Sequence, residues 1–302
     1  MWKGECMTQL NPPVELVFRG RRVLRDRPFV MAIVNRTTDS FYDQGATFGE
    51  QAAQEAIRKA VADGADVVDL GGVRAEAGPE VSGAEEVARI TPIVRWARET
   101  FPDLLISVDT WRSEVGAAAC QAGADIVNDS WAAADPELMD AAAQYGAGYI
   151  CTHTGGQEPR SIPRRPQYDD VVETVIAETT KLAELAVGKG VPSEGILIDP
   201  TLGILYGKDT AYNVEILRHV PRLVATGWPV LIALSNKDFL GEILDAELRD
   251  RVPGTLAATA LAAADGAAMF RAHEVYATKQ VLELTATIKG TRPPARTYQW
   301  TE

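Results

Sequence analysis

Three shortages narrow this sequence before any motif is read. Cysteine is scarce: Cys6, Cys120 and Cys151 stand far apart, and none forms a C-x-x-C pair. That argues against a disulfide framework and a thiolate zinc site, and it fits a reducing cytoplasm. Long apolar runs are missing as well. No stretch approaches ~18 consecutive apolar residues, and residues 1–30 hold no leader-like apolar core, so neither a membrane span nor a signal peptide is expected. Positive charge is in deficit. The 30 Lys and Arg face 42 Asp and Glu, for a net charge of −12. A nucleic-acid partner needs a broad basic face, so none is expected. A small anion can still be held by local Arg or Lys.

What is present is a repeated event. A short apolar run ends in a polar residue, and a loop and a helix follow. Met31 to Val34 ends at Asn35, Val67-Val68 at Asp69, and Leu105 to Val108 at Asp109. Ile126-Val127 ends at Asn128, Ile150 to Thr152 at His153, and Ile196 to Ile198 at Asp199. Val230 to Leu234 ends at Ser235, and Ala268 to Phe270 at Arg271. Between these runs lie helical spacings at 46–62, 85–100, 112–121, 136–144, 168–189, 209–219, 255–264 and 275–288. Asp135 is expected to cap the helix that Pro136 opens. Four helices end in Gly-Ala or Gly-Ala-like punctuation at Gly64, Gly123, Gly146 and Gly266, where a left-handed cap favours Gly.

Eight strand-helix units in one chain of 302 residues read as a (β/α)8 TIM barrel. An open doubly wound sheet fits less well, because no G-x-G-x-x-G follows the first strand. A strand-turn-strand around Gly20, within Val14 to Val23, is expected to cap one end of the barrel. The domain limits read as a loose tail at 1–13, one barrel at 14–290 and a C-terminal tail at 291–302. The segment Glu158 to Pro166 (EPRSIPRRP) reads as the most mobile loop.

In such barrels the active site gathers at the C-terminal ends of the strands. Asp109, Asn128 and Asp199 supply planar acceptors, and Asn128 adds donors. That set suits a flat heterocycle bearing N–H and amino groups, such as a pterin or a purine. Lys237, Arg271 and His273 fall near the last two strands, where barrels commonly hold phosphate. Asn35 can join them or hold a magnesium ion through its amide oxygen. Asp69, just ahead of Gly71-Gly72, reads more simply as a turn former. His153 reads as structural, and His219 as a cation at a helix end.

The motifs then match a family. The chain resembles dihydropteroate synthase from about Val14 to Gly290. The family's N-V-T-P-D-S-F-S-D-G-G stands here as Asn35-Arg36-Thr37-Thr38-Asp39-Ser40-Phe41-Tyr42-Asp43-Gln44-Gly45. Its S-V-D-T is Ser107 to Thr110, its I-N-D is Val127-Asn128-Asp129, and its D-P is Asp199-Pro200. Its S-R-K is Ser235-Asn236-Lys237, and its R-V-H is Arg271-Ala272-His273. The resemblance implies a homodimeric barrel that holds a dihydropterin through Asp109, Asn128, Asp199 and Lys237. It implies pyrophosphate and Mg2+ near Asn35, Arg271 and His273, with Lys237, Arg271 and His273 as the catalytic groups. In the family the amine of p-aminobenzoate attacks the methylene carbon as pyrophosphate leaves.

The departures fall on one side. The family's D-I-G-G-E-S-T-R-P-G becomes Asp69-Leu70-Gly71-Gly72-Val73-Arg74-Ala75-Glu76-Ala77-Gly78, with Glu76 in the arginine position. A family serine after the lysine is Asp238, and G-F-G-K is lengthened to Gly203 to Lys208. The expected function is therefore a synthase homologue with its pterin and pyrophosphate side kept and its p-aminobenzoate loops altered, weak or inactive as a synthase. An active dihydropteroate synthase and a pterin-binding methyltransferase-type barrel are the alternatives.

Overall fold

The computed structural model describes residues 14–37 and 47–297. The expected tail at 1–13 and the motif stretch 38–46 lie outside the described residues. A hairpin comes first, β1 (Val14–Phe18) and β2 (Arg21–Arg25), antiparallel with Phe18 opposite Arg21. Its two-residue turn places Arg19 and Gly20 both at positive φ, 51° and 73°. That is the turn whose twist matches a hairpin.

Eight parallel strands follow: β3 (Phe29–Asn35), β4 (Val67–Gly71), β5 (Leu105–Asp109), β6 (Ile126–Asp129), β7 (Gly148–Thr152), β8 (Ile196–Asp199), β9 (Leu231–Ile232) and β10 (Met269–Ala272). Neighbours in sequence are neighbours in the sheet, and β10 pairs with β3. The ring closes between β8 and β9 through one bridge, Ile198 to Val230, with Ile198 N–H donating to the Pro229 carbonyl at 2.9 Å. The result is the TIM barrel expected from the sequence.

The helices are α1 (Glu50–Asp63), α2 (Gly83–Thr100), α3 (Ser113–Ala122), α4 (Glu137–Tyr145), α5 (Val171–Gly188), α6 (Thr210–Arg218), α7 (Val220–Val224), α8 (Asp238–Leu244), α9 (Val252–Ala264) and α10 (Val275–Lys289). Gly64, Gly123, Gly146 and Gly266 all lie at positive φ, as their punctuation implied. One expectation is corrected and one is extended. The seventh strand is only Leu231–Ile232, because the chain turns early into Leu234-Ser235. Asp135 serves two helix starts rather than one: its carboxylate accepts from Ser113 N–H at 2.7 Å, opening α3, and from Glu137 N–H at 3.1 Å, opening α4.

Two cores divide the apolar residues. One fills the layer between the strands and the helices. The other lies inside the barrel at its N-terminal end, where Phe29, Met31, Val67, Leu105, Ile126, Ile150, Leu197, Leu231 and Met269 meet Leu16 and Phe18 of the hairpin. The hairpin is a plug. Gly148 is required beneath it, since a Cβ there would stand 2.5 Å from the Phe18 ring.

Side chains on a strand alternate faces, so each strand sends every second residue inward. Register fixes the layers: Val67 lies beside Leu105, Asp69 beside Ser107, and Gly71 beside Asp109. Going up each strand, the inward series switches from apolar to polar: Val67-Asp69, Leu105-Ser107-Asp109, Ile126-Asn128, Leu197-Asp199 and Met269-Arg271. The floor of the mouth is thus made by the barrel's own alternation.

Candidate functional site

Asp69 is the hub of that floor. It is fully buried on β4, not at a turn as the sequence suggested. Its Oδ1 accepts from Ser107 Oγ at 2.6 Å, and its Oδ2 accepts from Arg271 Nε at 2.6 Å and Asn128 Nδ2 at 3.2 Å. The sequence signal that would have found it is the alternation just described. Asp69 sits two residues below the rim, level with Ser107, and cannot be a loop residue.

Arg271 spans two carboxylates. Besides Asp69 it donates from a terminal nitrogen to Asp109 Oδ2 at 3.1 Å. Burial works against its charge, but the two carboxylates outweigh burial and raise its pKa above the ordinary value. Asp109 is pushed up to about 6, chiefly by desolvation, with Arg271 opposing and Asp69 adding to the shift. Asp199 is also raised by burial, offset by the Thr201 N–H and by Lys237 and Lys208. Thr201 N–H donates to Asp199 Oδ1 at 2.6 Å, and no described residue donates to its other oxygen. Asn128 spends its amino group on Asp69 and keeps its carbonyl oxygen for another donor.

Cations complete the mouth. Lys237 caps α8 from the loop after β9; it donates to the Leu202 carbonyl, and burial lowers its pKa to about 8 despite the Asp199 charge. Lys208 is a residue whose role the sequence did not disclose. Fully buried, it donates to the His153 and Thr201 carbonyls at 3.0 and 2.9 Å, and desolvation lowers its pKa to about 7. His273 bonds Ser235 Oγ through Nδ1 at 3.0 Å. Desolvation and the neighbouring Arg271 and Lys237 hold its pKa down at about 3, so it is neutral near pH 7. It can donate a hydrogen bond there but brings no charge.

Asn35 ends β3, in register with Gly71. A Cβ at Gly71 would meet Asn35 Oδ1 at 3.1 Å and Asp109 Oδ2 at 4.0 Å, so the two oxygens flank that bare position. Mg2+ keeps several waters and takes few protein oxygens when it also binds substrate phosphates. Asn35 would offer such an ion a single amide oxygen.

His153 is buried and His219 stands at a helix end, as expected. His153 is buried, with its Nε2 3.2 Å from Glu178 Oε2, its ring against Tyr168, and its pKa lowered by burial to about 2. His219 closes α6 with Nδ1 on the Glu215 carbonyl at 3.0 Å.

The loops above the floor are cross-tied. Glu76 pairs with Arg74 at 2.7 Å, and its charge reaches both Lys237 and Tyr206. Asp238 instead lies on the surface, held by Arg251 at 3.0 Å. The segment 158–166 is tied down: Arg160 donates to the Pro79 carbonyl at 2.7 Å, and Gln157 brackets Arg164 with bonds of 2.7 and 3.1 Å. Arg36, where the family has valine, is buried and donates to the Phe48 and Arg89 carbonyls, tying the first loop to α2.

A TIM barrel with a ring of buried acceptors, two lysines and an arginine at its C-terminal mouth defines a class, and the comparisons agree. The chain belongs to the pterin binding enzyme family, whose model matches residues 31–273. It is 56% identical to the inactive dihydropteroate synthase 2 of Mycobacterium leprae, over 93% of this chain and 97% of that one. Among solved structures it is similar to Mycobacterium tuberculosis Rv1207, with 47% identity, a TM-score of 0.70, and coverage of 92% and 99% of the two chains. It is also similar to the Xanthomonas albilineans dihydropteroate synthase solved with 4-aminobenzoic acid, with 37% identity, a TM-score of 0.82 and coverage of 92% and 98%.

Proposed function

We propose that this chain is a barrel of the dihydropteroate synthase line that holds a dihydropterin or its pyrophosphate and is weak or inactive as a synthase. The observation that carries the reading is the split between the floor and the loops. The free oxygens of Asp199 and Asn128, with Asp109 beside them, match the amino and N–H donors of a pterin edge. Lys237 would bind ring acceptors, while Arg271, His273 and Asn35 would hold pyrophosphate oxygens. Mg2+ on Asn35 would neutralise charge on the leaving group. The loop that would hold a benzoate carboxylate presents Glu76 instead, and a second anion at close range costs about 1 kcal/mol or more, depending on the local dielectric. The relative at 56% identity carries the name of an inactive synthase, while the one crystallised with 4-aminobenzoic acid is 37% identical.

The test is a steady-state assay with dihydropterin pyrophosphate, p-aminobenzoate and Mg2+, beside an ordinary synthase. Losing the placement of the nucleophile forfeits a contribution that can reach ~7–11 kcal/mol of barrier, so little or no product is expected. A kcat/KM within about tenfold of the control, about 1.4 kcal/mol, would restore the plain enzyme.

The same reading makes the protein a cytoplasmic homodimer. Among the described residues no helix is long and apolar enough to cross a membrane. Helix α9 is apolar on nearly every face, yet Leu261 near its end is 70% exposed. On α10, Leu284 and Ile288 are 62% and 75% exposed, near the same end of the barrel. A helix apolar all round is normally covered. Sedimentation should give twice the 32.6 kDa chain mass, and Leu284→Glu with Ile288→Glu should give the single chain. A wild-type monomer at micromolar concentration would remove the dimer.

A further inference from the structure

Tyr206 stands in the lengthened counterpart of the family's G-F-G-K, outside the residues expected to bind ligand, yet it sits among them. It ends one 3-10 turn, Ile204–Tyr206, in the loop after β8, and it is only 9% exposed. Its ring lies 5.6 Å from Trp131, centroid to centroid. Lys237 Nζ stands 5.5 Å from the ring centroid and Lys208 Nζ 6.0 Å. The phenol lies within the fields of Asp109, Arg271, Asp199 and Glu76. These are the groups that would receive a flat ring.

The loop carrying Tyr206 is bracketed by glycines and covered. Gly203 and Gly207 flank the turn at φ 116° and 73°, a region that side chains other than Gly rarely enter. Segment 158–166 packs on it: a Cβ at Gly207 would stand 2.5 Å from Pro166 Cδ and 2.9 Å from the Arg164 carbonyl. The closed arrangement is not fully satisfied. Trp131 is buried, and its indole N–H has no acceptor among the described residues. A buried unpaired donor costs free energy that a ligand oxygen would recover.

We propose that Tyr206 is a specificity-determining residue of the mouth, its side chain taking the place beside Trp131, Lys208 and Lys237 that an entering ring must take. The proposal rests on reading the mouth as a ring site. An entrant has to displace Tyr206, and only a flat ring with donors for Asp109 and Asp199 and an acceptor for Trp131 offsets that displacement. A single benzoate ring lacks the donors and meets Glu76. The apparent affinity of any ligand is reduced by the fraction of molecules that are open.

The experiment titrates 6-hydroxymethylpterin into wild type, Tyr206→Phe and Tyr206→Ala, by calorimetry and stopped-flow fluorescence. Tyr206→Ala should bind about tenfold tighter if roughly nine molecules in ten are closed, and Tyr206→Phe should match wild type. The wild-type binding rate should level off with ligand, because opening precedes binding. Weaker binding by Tyr206→Ala would overturn the proposal and make Tyr206 a stacking wall; so would a wild-type rate that rises linearly without limit. A second readout needs no pterin: reductive methylation of Lys237, read by peptide mass, should rise several-fold in Tyr206→Ala. Equal methylation overturns the occlusion. Faster methylation with no pterin binding to any form keeps the occlusion and removes the ring-site reading. If Tyr206→Ala does not fold, Tyr206→Leu takes its place in the methylation assay with the same expected direction.

Discussion

The two ends of this barrel are made by the same strands and solve opposite problems. At the N-terminal end the inward residues are apolar, and the hairpin closes them with Leu16 and Phe18 over Gly148. At the C-terminal end the inward residues are Asp69, Ser107, Asp109, Asn128, Asp199 and Arg271, buried or, for Asp109 and Arg271, half-buried, and bonded mainly to one another. Burying apolar area stabilises the fold, whereas burying charge costs desolvation that pairing only partly returns. One end therefore carries stability and the other carries recognition. Most of the mouth's perturbed groups, Asp109, Asp199, Lys208, Lys237 and His273, shift toward their neutral forms, as such a cost requires.

The sharpest way to break the comparison is at the plug. Phe18→Ala should cost about 3–5 kcal/mol of stability, because the cavity lies under a hairpin pinned on both sides. Urea unfolding measures this, and pterin affinity in the folded variant should not move. A loss under about 1 kcal/mol would place the hairpin outside the barrel's core.

At the other end Asp199→Ala should weaken binding of a pterin analogue by about 2 kcal/mol or more, since ring donors lose their acceptor. Its unfolding midpoint should stay level or rise, because the fold disfavours that charge. Unchanged affinity by calorimetry would remove Asp199 from the ring site.

The third effect is in pH dependence. Asp109 has its folded pKa raised to about 6 from an ordinary value near 3.8. Between those values the folded state holds a proton that the unfolded chain has released, so stability falls as pH rises from about 4 to 6. Asp109→Asn should flatten that part of the stability profile. A variant with the same slope as wild type would assign the slope to another group.

Much of the fold was legible because each strand-helix unit is short and ends in punctuation with a physical cause. The glycines at 64, 123, 146 and 266 marked helix ends that the backbone confirms at positive φ. Asp109, Asn128, Asp199 and Arg271 were legible because each ends a short apolar run. Asp69 was misread because Gly71-Gly72 suggested a turn, while the pairing of β4 to β3 and to β5 carries the strand through Gly71. Lys208 and Tyr206 were legible only as part of an altered loop on the p-aminobenzoate side, not as side chains inside the mouth. Their positions depend on a loop fold set by Gly203 and Gly207, and no periodicity in the sequence reports it. Asp238 was read as a charge facing the second substrate. Its partner Arg251 is 13 residues away, opening α9, and only the packing of α8 against α9 brings the two together.

The single bridge between Ile198 and Val230 has a mechanical meaning. Seven of the eight strand junctions share ladders of paired residues, and this one is a clasp. The strand on one side ends at Asp199, the loop after the other carries Lys237, and each lies in the other's field. Whatever binds between them draws the two edges together. The ring should then be loosest along this line when empty and tightest when filled, and the Ile198 amide is the place to watch its hydrogen exchange slow.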